Sequence, residues 1–269
     1  MIHIILFLLT VASTYFVGGP YYSMSIISIL LAHEMGHYLM SRKYGIPATL
    51  PYFIPFPLSP FGTFGAIIKM KGVIINKKAL FDIGVAGPIS GFLVAIPFII
   101  LGINLSAIQT ISGNPSFIEL GDPLLFKILQ YFMIGSIPEG QDLVLHPFAY
   151  AGWVGLFVTA LNLLPVGQLD GGHIIYAVFG DKSRWVFFGT IAILAIIAVF
   201  YNPGWIMLVI ILIIFGMRHP KPLDTETELD RKRKYIAFAI LIIFLLSFTP
   251  APFPSLTSGD PGKTEGIPI

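Results

Sequence analysis

Apolar positions fall into long runs along this chain, and the breaks between them are as informative as the runs. Residues 1–18 and 21–42 form the first two, parted by Gly18-Gly19-Pro20, a combination that ends one helix and opens another. Further runs cover 83–105, 147–164, 184–201, 203–217 and 235–249. About 20 apolar residues suffice for a helix to cross the hydrocarbon layer. The pattern therefore predicts an all-α polytopic membrane protein, with six helices in a core over 1–217 and a seventh apolar helix at 235–249. Gly84, Gly87 and Gly91 give the third span a small-residue face, which lets helices approach closely. Pro165-Val166-Gly167 ends the fourth span, and a short helix is expected from about 170 to 179.

The intervening stretches differ from one another. Residues 47–60 hold five prolines, Pro47, Pro51, Pro55, Pro57 and Pro60, among the apolar rings of Phe53 and Phe56. That density forbids a regular helix. Thr63 to Val73 reads as a strand, so 47–78 is expected to be a small membrane-associated or re-entrant β segment. Such backbone is tolerated at membrane depth only against protein or around a cavity. Residues 106–146 form a more polar loop with one interfacial helix at about 122–134. Residues 218–234 are a charged linker, and the Pro-, Gly- and Ser-rich tail 250–269 is expected to be disordered.

Composition agrees with the pattern: 55% of the 269 residues are hydrophobic and 11% charged, against about 25% charged in soluble domains. The chain has no cysteine, which excludes disulfides and thiolate metal sites. Segment 1–17 lacks the basic start of a cleavable signal peptide. Positive charge sets the orientation. If the loop after the second span is cytoplasmic and the spans alternate, 14 of the 16 Lys and Arg fall on that side, leaving only Lys127 and Lys263 outside. The expectation is an integral protein of the cell membrane with its N-terminus in the cytoplasm.

One stretch breaks the apolar rule. Ala32-His33-Glu34-Met35-Gly36-His37-Tyr38 puts three ionisable side chains into the second span. Ionisable groups inside a span are costly and mark function by default. His33 and His37 lie one helical turn apart on one face and can hold a single metal ion, with Glu34 beside them as general base. Catalytic zinc takes three protein ligands and keeps one position open, so a third His, Asp or Glu is needed. His3, Asp82, His146 and His219 sit at the wrong depth or side. Asp170 sits at the broken helix end, on the cytoplasmic side with the histidines. Its competing role is to cap the short helix that follows.

His33-Glu34-Met35-Gly36-His37 in one span, and Asn162 to Gly171 (Asn-Leu-Leu-Pro…Leu-Asp-Gly) in another, resemble the site-2 protease family of intramembrane zinc metalloproteases. Phe61-Gly62-Thr63-Phe64-Gly65-Ala66 and Ala86-Gly87-Pro88 also look like that family. The resemblance covers about residues 20–217. It implies one zinc ion on His33, His37 and Asp170, Glu34 as catalytic base, and Asn162 positioning the substrate or the oxyanion. It implies hydrolysis of peptide bonds in or near the transmembrane segment of a single-span membrane protein. An extended substrate could add to the edge of the strand 63–73. No nucleic-acid partner is expected. The competing readings are a membrane metal transporter and a catalytically inactive membrane-binding homologue. The transporter needs ligands along a path, whereas the polar groups here cluster at one level.

Overall fold

The first two apolar runs form one helical element, α1 (Ile2–Lys43), folded back on itself at Gly19. A computed structural model describes residues 1–110, 120–138, 140–200, 202–216 and 221–253. Gly19 has φ 76° and ψ −174°, a backbone region essentially closed to residues with a Cβ. The Thr14 and Ser23 hydroxyls lie 2.8 Å apart. Nine residues of straight helix would separate them by about 13 Å, so the two arms are antiparallel, as two alternating spans must be. The same buried hydroxyl of Ser23 lies 3.2 Å from the Val11 carbonyl and ties the arms a second time.

The proline-rich stretch is a β-hairpin. Strand β1 (Tyr52–Pro55) pairs antiparallel with β2 (Thr63–Ile67), with Tyr52 opposite Ile67, Phe53 opposite Ala66 and a register shift before Pro55. The expected strand 63–73 therefore stops at Ile67, and its partner lies among the prolines. A two-stranded sheet permits this because each strand has an open edge where a missing N–H costs nothing. The hairpin leans on α1: Tyr22 donates to the Phe61 carbonyl at 2.8 Å, and the buried Phe53 ring meets Phe7 edge-on.

Helix α2 (Lys77–Leu105) starts six residues before the predicted span, because Asn76 caps it by accepting from the Ala79 N–H. The polar loop contains α3 (Leu124–Ile134), close to the predicted interfacial helix, and an unpredicted pair, β3 (Ala107–Thr110) with β4 (Gln141–Val144). Helices α4 (Pro147–Leu163), α5 (Asp170–Phe179), α6 (Ser183–Phe200) and α7 (Trp205–Gly216) follow the predicted breaks closely. The last helix, α8 (Arg231–Ser247), is longer than the apolar run predicts. Asp230 accepts from the Arg233 N–H and caps it, so Arg231 to Lys234 form its first turn and do not belong to the linker. The start of the tail is also packed. Trp205 donates to the Pro250 carbonyl, and the Phe253 ring meets Trp153. Residues 254–269 of the expected disordered tail lie outside the described residues.

The core sits where the second arm of α1, α2 and α4 meet around fully buried Tyr22, Ile26, Ile99, Trp153 and Leu156. The helices come close because there is no side chain in the way: a Cβ at Gly102 would overlap Ala149, and one at Gly152 would overlap Ile99. The outside carries exposed Phe16, Phe132, Phe200 and Met207, the kind of surface that calls for lipid or a partner and not water. Ile2–Lys43, Lys77–Leu105 and the joined Asp170–Phe200 are long and apolar enough to cross a membrane. Gly19→Ala is expected to destabilise the helical hairpin by about 1–3 kcal/mol, seen as a lowered unfolding temperature in detergent.

Candidate metal centre

Two buried imidazoles and one carboxylate converge here although the aspartate is at least 133 residues from either histidine. His33 and His37 project from the second arm of α1, one turn apart, and Asp170 from the first turn of α5. His37 Nε2 is 3.1 Å from His33 Nε2 and 3.2 Å from Asp170 Oδ2, and His33 Nε2 is 3.3 Å from Asp170 Oδ2. These three atoms form a nearly equilateral triangle. A tetrahedral zinc with bonds of about 2.0–2.1 Å needs donor atoms about 3.3 Å apart. The triangle thus has the size of one face of a coordination tetrahedron, which leaves the fourth corner free.

The tautomer fits as well. His37 Nδ1 lies 2.8 Å from the Ile83 carbonyl, which can only accept. The proton must therefore sit on Nδ1, leaving the Nε2 lone pair aimed at the triangle, the arrangement that orients metal-binding histidines. Glu34 is buried between them in sequence, with its carboxylate beside the Ile68 backbone in the same cleft. Asn162, on the last turn of α4, places its amide nitrogen 3.5 Å from His33 Nε2.

Glycines make the convergence possible. Gly87 and Gly91 of α2 face the rings of His37 and His33, and a Cβ at Gly36 would overlap the Ala86 carbonyl. The imidazoles thus fill spaces left by missing side chains. Gly171 and Gly172 let α5 back against the carbonyls of Leu163 and Gly167, and Gly167 takes φ 53° where the chain turns between the helices. This turn delivers Asp170. The helix N-cap is Leu169 and makes no side-chain cap bond. Asp170 occupies the next position, where its carboxylate suits the positive end of the helix dipole and remains free to face the histidines. The capping alternative for Asp170 is therefore not what the structure has.

The rejected ligands are engaged elsewhere. His3 Nδ1 bonds to the Pro51 carbonyl, His146 caps α4 by accepting from the Phe148 N–H, and Asp82 pairs with Arg233. His219 lies outside the described residues. A cleft of about 240 Å³ opens on the triangle and is walled by Ala66 to Ile68 at the end of β2. Gln168 and His173 also line it, neither of them among the residues that the sequence singles out. The signal was available, since His173 follows Asp170 by three positions and so shares its helix face. Among the described residues, His33, His37 and Asp170 are the one group placed to hold a metal ion.

The sequence model of peptidase family M50 matches residues 21–201. "Probable zinc metalloprotease EGY2, chloroplastic" of Arabidopsis thaliana is 28% identical over 89% of this chain and 43% of its own length. The protein of the same name from Oryza sativa subsp. indica is 33% identical over 88% of this chain and 43% of its own length. The chain thus spans less than half the length of these relatives. Site-2 protease from Methanocaldococcus jannaschii has a TM-score of 0.39 and 18% identity, covering 85% of this chain and 93% of that one.

Asp170→Ala removes one corner of the triangle, and metal analysis of the purified protein is expected to show zinc content well below wild type. Gly87→Ala tests the packing argument: its methyl group overlaps the His37 ring. It should lower zinc content while the helical content measured by circular dichroism stays unchanged.

Proposed function

From the premise that the chain belongs to peptidase family M50, we propose that it is an intramembrane zinc metalloprotease that hydrolyses peptide bonds in or near transmembrane segments of other membrane proteins. The observation that carries this is the buried donor triangle of His33, His37 and Asp170 with Glu34 in the same cleft. The three donors would hold one zinc ion and leave a corner open toward the cleft.

Zinc in that place supplies Lewis acidity to the attacking water and to the scissile carbonyl. The protein supplies the rest. Glu34 takes the proton of the attacking water and passes it to the departing amine. Two neutral imidazoles and one carboxylate bring a single negative charge against a dication and a nucleophile, so little net charge is left in an apolar surrounding. Asn162 stands beside His33, where its amide can donate to the substrate carbonyl or to the oxyanion that forms from it. Residues 66–68 line the cleft, and an extended substrate strand beside them would expose its peptide bonds, which a helix hides.

The substrate of this reading is a single-span membrane protein. The division of lysines and arginines supports a cell-membrane protein with its N-terminus and site toward the cytoplasm. The antiparallel arms of α1 agree, since His3 bonds to Pro51 just beyond the end of the second arm. The protease core runs through α7, and α8 is an addition to it.

Glu34→Gln keeps all three metal donors and removes the base. In proteoliposomes with a single-span substrate, cleavage is expected to fall about a hundredfold or more while zinc content stays at the wild-type level. Undiminished cleavage by this variant would sink the reading.

A further inference from the structure

Helix α8 lies beyond the residues matched by the family, yet it is bolted to the helices that build the metal centre. Arg233 in its first turn grips Asp82 of α2 along both edges of the carboxylate, Nε to Oδ1 at 2.8 Å and Nη2 to Oδ2 at 2.6 Å. Its Nη1 donates to Asp230 Oδ2 at 2.9 Å, a second carboxylate on the same guanidinium. Tyr44, which caps the end of α1, donates its hydroxyl proton to Asp82 Oδ2 at 2.6 Å and accepts from Arg233 Nη2 at 3.3 Å. Both charged side chains are mostly buried, with 20% and 17% of their surface exposed. One arginine therefore joins α8, α2 and α1.

The position of this junction gives it a consequence. Asp82 is followed directly by Ile83, whose carbonyl accepts the His37 Nδ1 proton. Tyr44 lies seven residues after His37, two turns along the same face of the helix. The pair α1 and α2 thus has two neighbouring rungs, His37 to Ile83 and Tyr44 to Asp82, and α8 locks the second. The His37 and His33 rings seated at Gly87 and Gly91 also help to set the register, and the Tyr44–Asp82 rung holds the pair beyond them. A shift along α2 would move the Ile83 carbonyl away from Nδ1 and turn the Nε2 lone pair off the triangle.

We propose that Arg233, Asp82 and Tyr44 form a positioning clamp through which α8 fixes the α1–α2 register and hence the aim of His37 at the metal. The three residues lie outside the donor triangle and do not line its cleft; they act through the Ile83 carbonyl. The proposal rests on the metalloprotease reading for its effect on turnover, but its effect on metal binding stands without it. Bidentate geometry makes the arginine specific: a lysine retains the charge but cannot engage both oxygens in one plane.

The test uses the full chain in lipid nanodiscs, with Asp82→Asn, Arg233→Lys, Arg233→Met and Tyr44→Phe. Zinc affinity is measured by competition with a chelator, and kcat and KM with a single-span substrate. Loss of a partner that orients a metal ligand costs about 10–100-fold in affinity. Asp82→Asn and Arg233→Met are expected to bind zinc at least tenfold more weakly and to lose kcat with KM within twofold of wild type. Arg233→Lys is expected to fall between them and wild type. Tyr44→Phe removes the Tyr44–Asp82 rung and leaves the Asp82–Arg233 pair in place, and it is expected to weaken zinc binding as they do. Wild-type zinc affinity in folded Asp82→Asn or Arg233→Met overturns the proposal. If those two fail to fold, Tyr44→Phe decides it: weakened zinc affinity supports the clamp, and wild-type affinity overturns it. If the wild-type protein cleaves nothing, the protease reading fails while the zinc measurement still decides the clamp.

Discussion

Everything in this structure depends on bringing a carboxylate and two imidazoles to within about 3.3 Å of one another inside an apolar bundle. Three groups that each prefer water have been collected where water is scarce, and each still aims a donor atom at the same point. Desolvated polar atoms without partners cost several kcal/mol in such surroundings. A cation placed against all three removes that cost at once, and with the Nδ1 proton of His37 given to Ile83 the neutral ring keeps its Nε2 lone pair for such a cation. The chemistry of the donor set and the burial therefore argue for the same occupant.

The architecture around that point serves mainly to bring backbones close. The second arm of α1 and helix α2 meet through Gly36, Gly87 and Gly91, and α5 is drawn against the end of α4 through Gly171 and Gly172. In a membrane, helices gain little from excluding lipid from one another, so close packing and polar contacts must hold them together. The same glycines that let the histidines reach their partners seat the His33 and His37 rings in the surface of α2. Directional bonds add to the register: the Ser and Thr hydroxyls between the arms of α1, the His37–Ile83 bond, and the Tyr44–Asp82–Arg233 junction at the end of the second arm.

Two features show how local chemistry overruled the hydrophobic pattern. The first turn of α8 is Arg231 to Lys234, which the pattern assigns to a linker because it is charged; Asp230 caps it and Asp82 receives its arginine. The strand β1 is hidden in a proline-rich stretch that reads as irregular, since a hairpin needs few ladder bonds and tolerates proline on its free edges. Asp230 and the partner strand β2 are close by in the chain, whereas Asp82 is 151 residues from Arg233 and a scan of neighbouring residues has no access to it.

The sequence by itself determined the apolar spans, the break at Gly18-Gly19-Pro20, the pair His33 and His37 with Glu34, and the broken segment from Asn162 to Gly172. Each of these is a local matter of helical period, backbone freedom and the cost of charge in an apolar run. It also narrowed the third donor to Asp170, though the helix-cap alternative survived on sequence grounds alone. What bears on that alternative is tertiary: Leu169 takes the cap position, and α5 is pressed against α4 so that the carboxylate meets the imidazoles. Only the tertiary structure showed that Asp82 belongs to Arg233, an alliance of residues 151 positions apart. Contacts of that kind are set by which helices lie side by side, and that order is fixed by packing, which no single stretch of the chain contains.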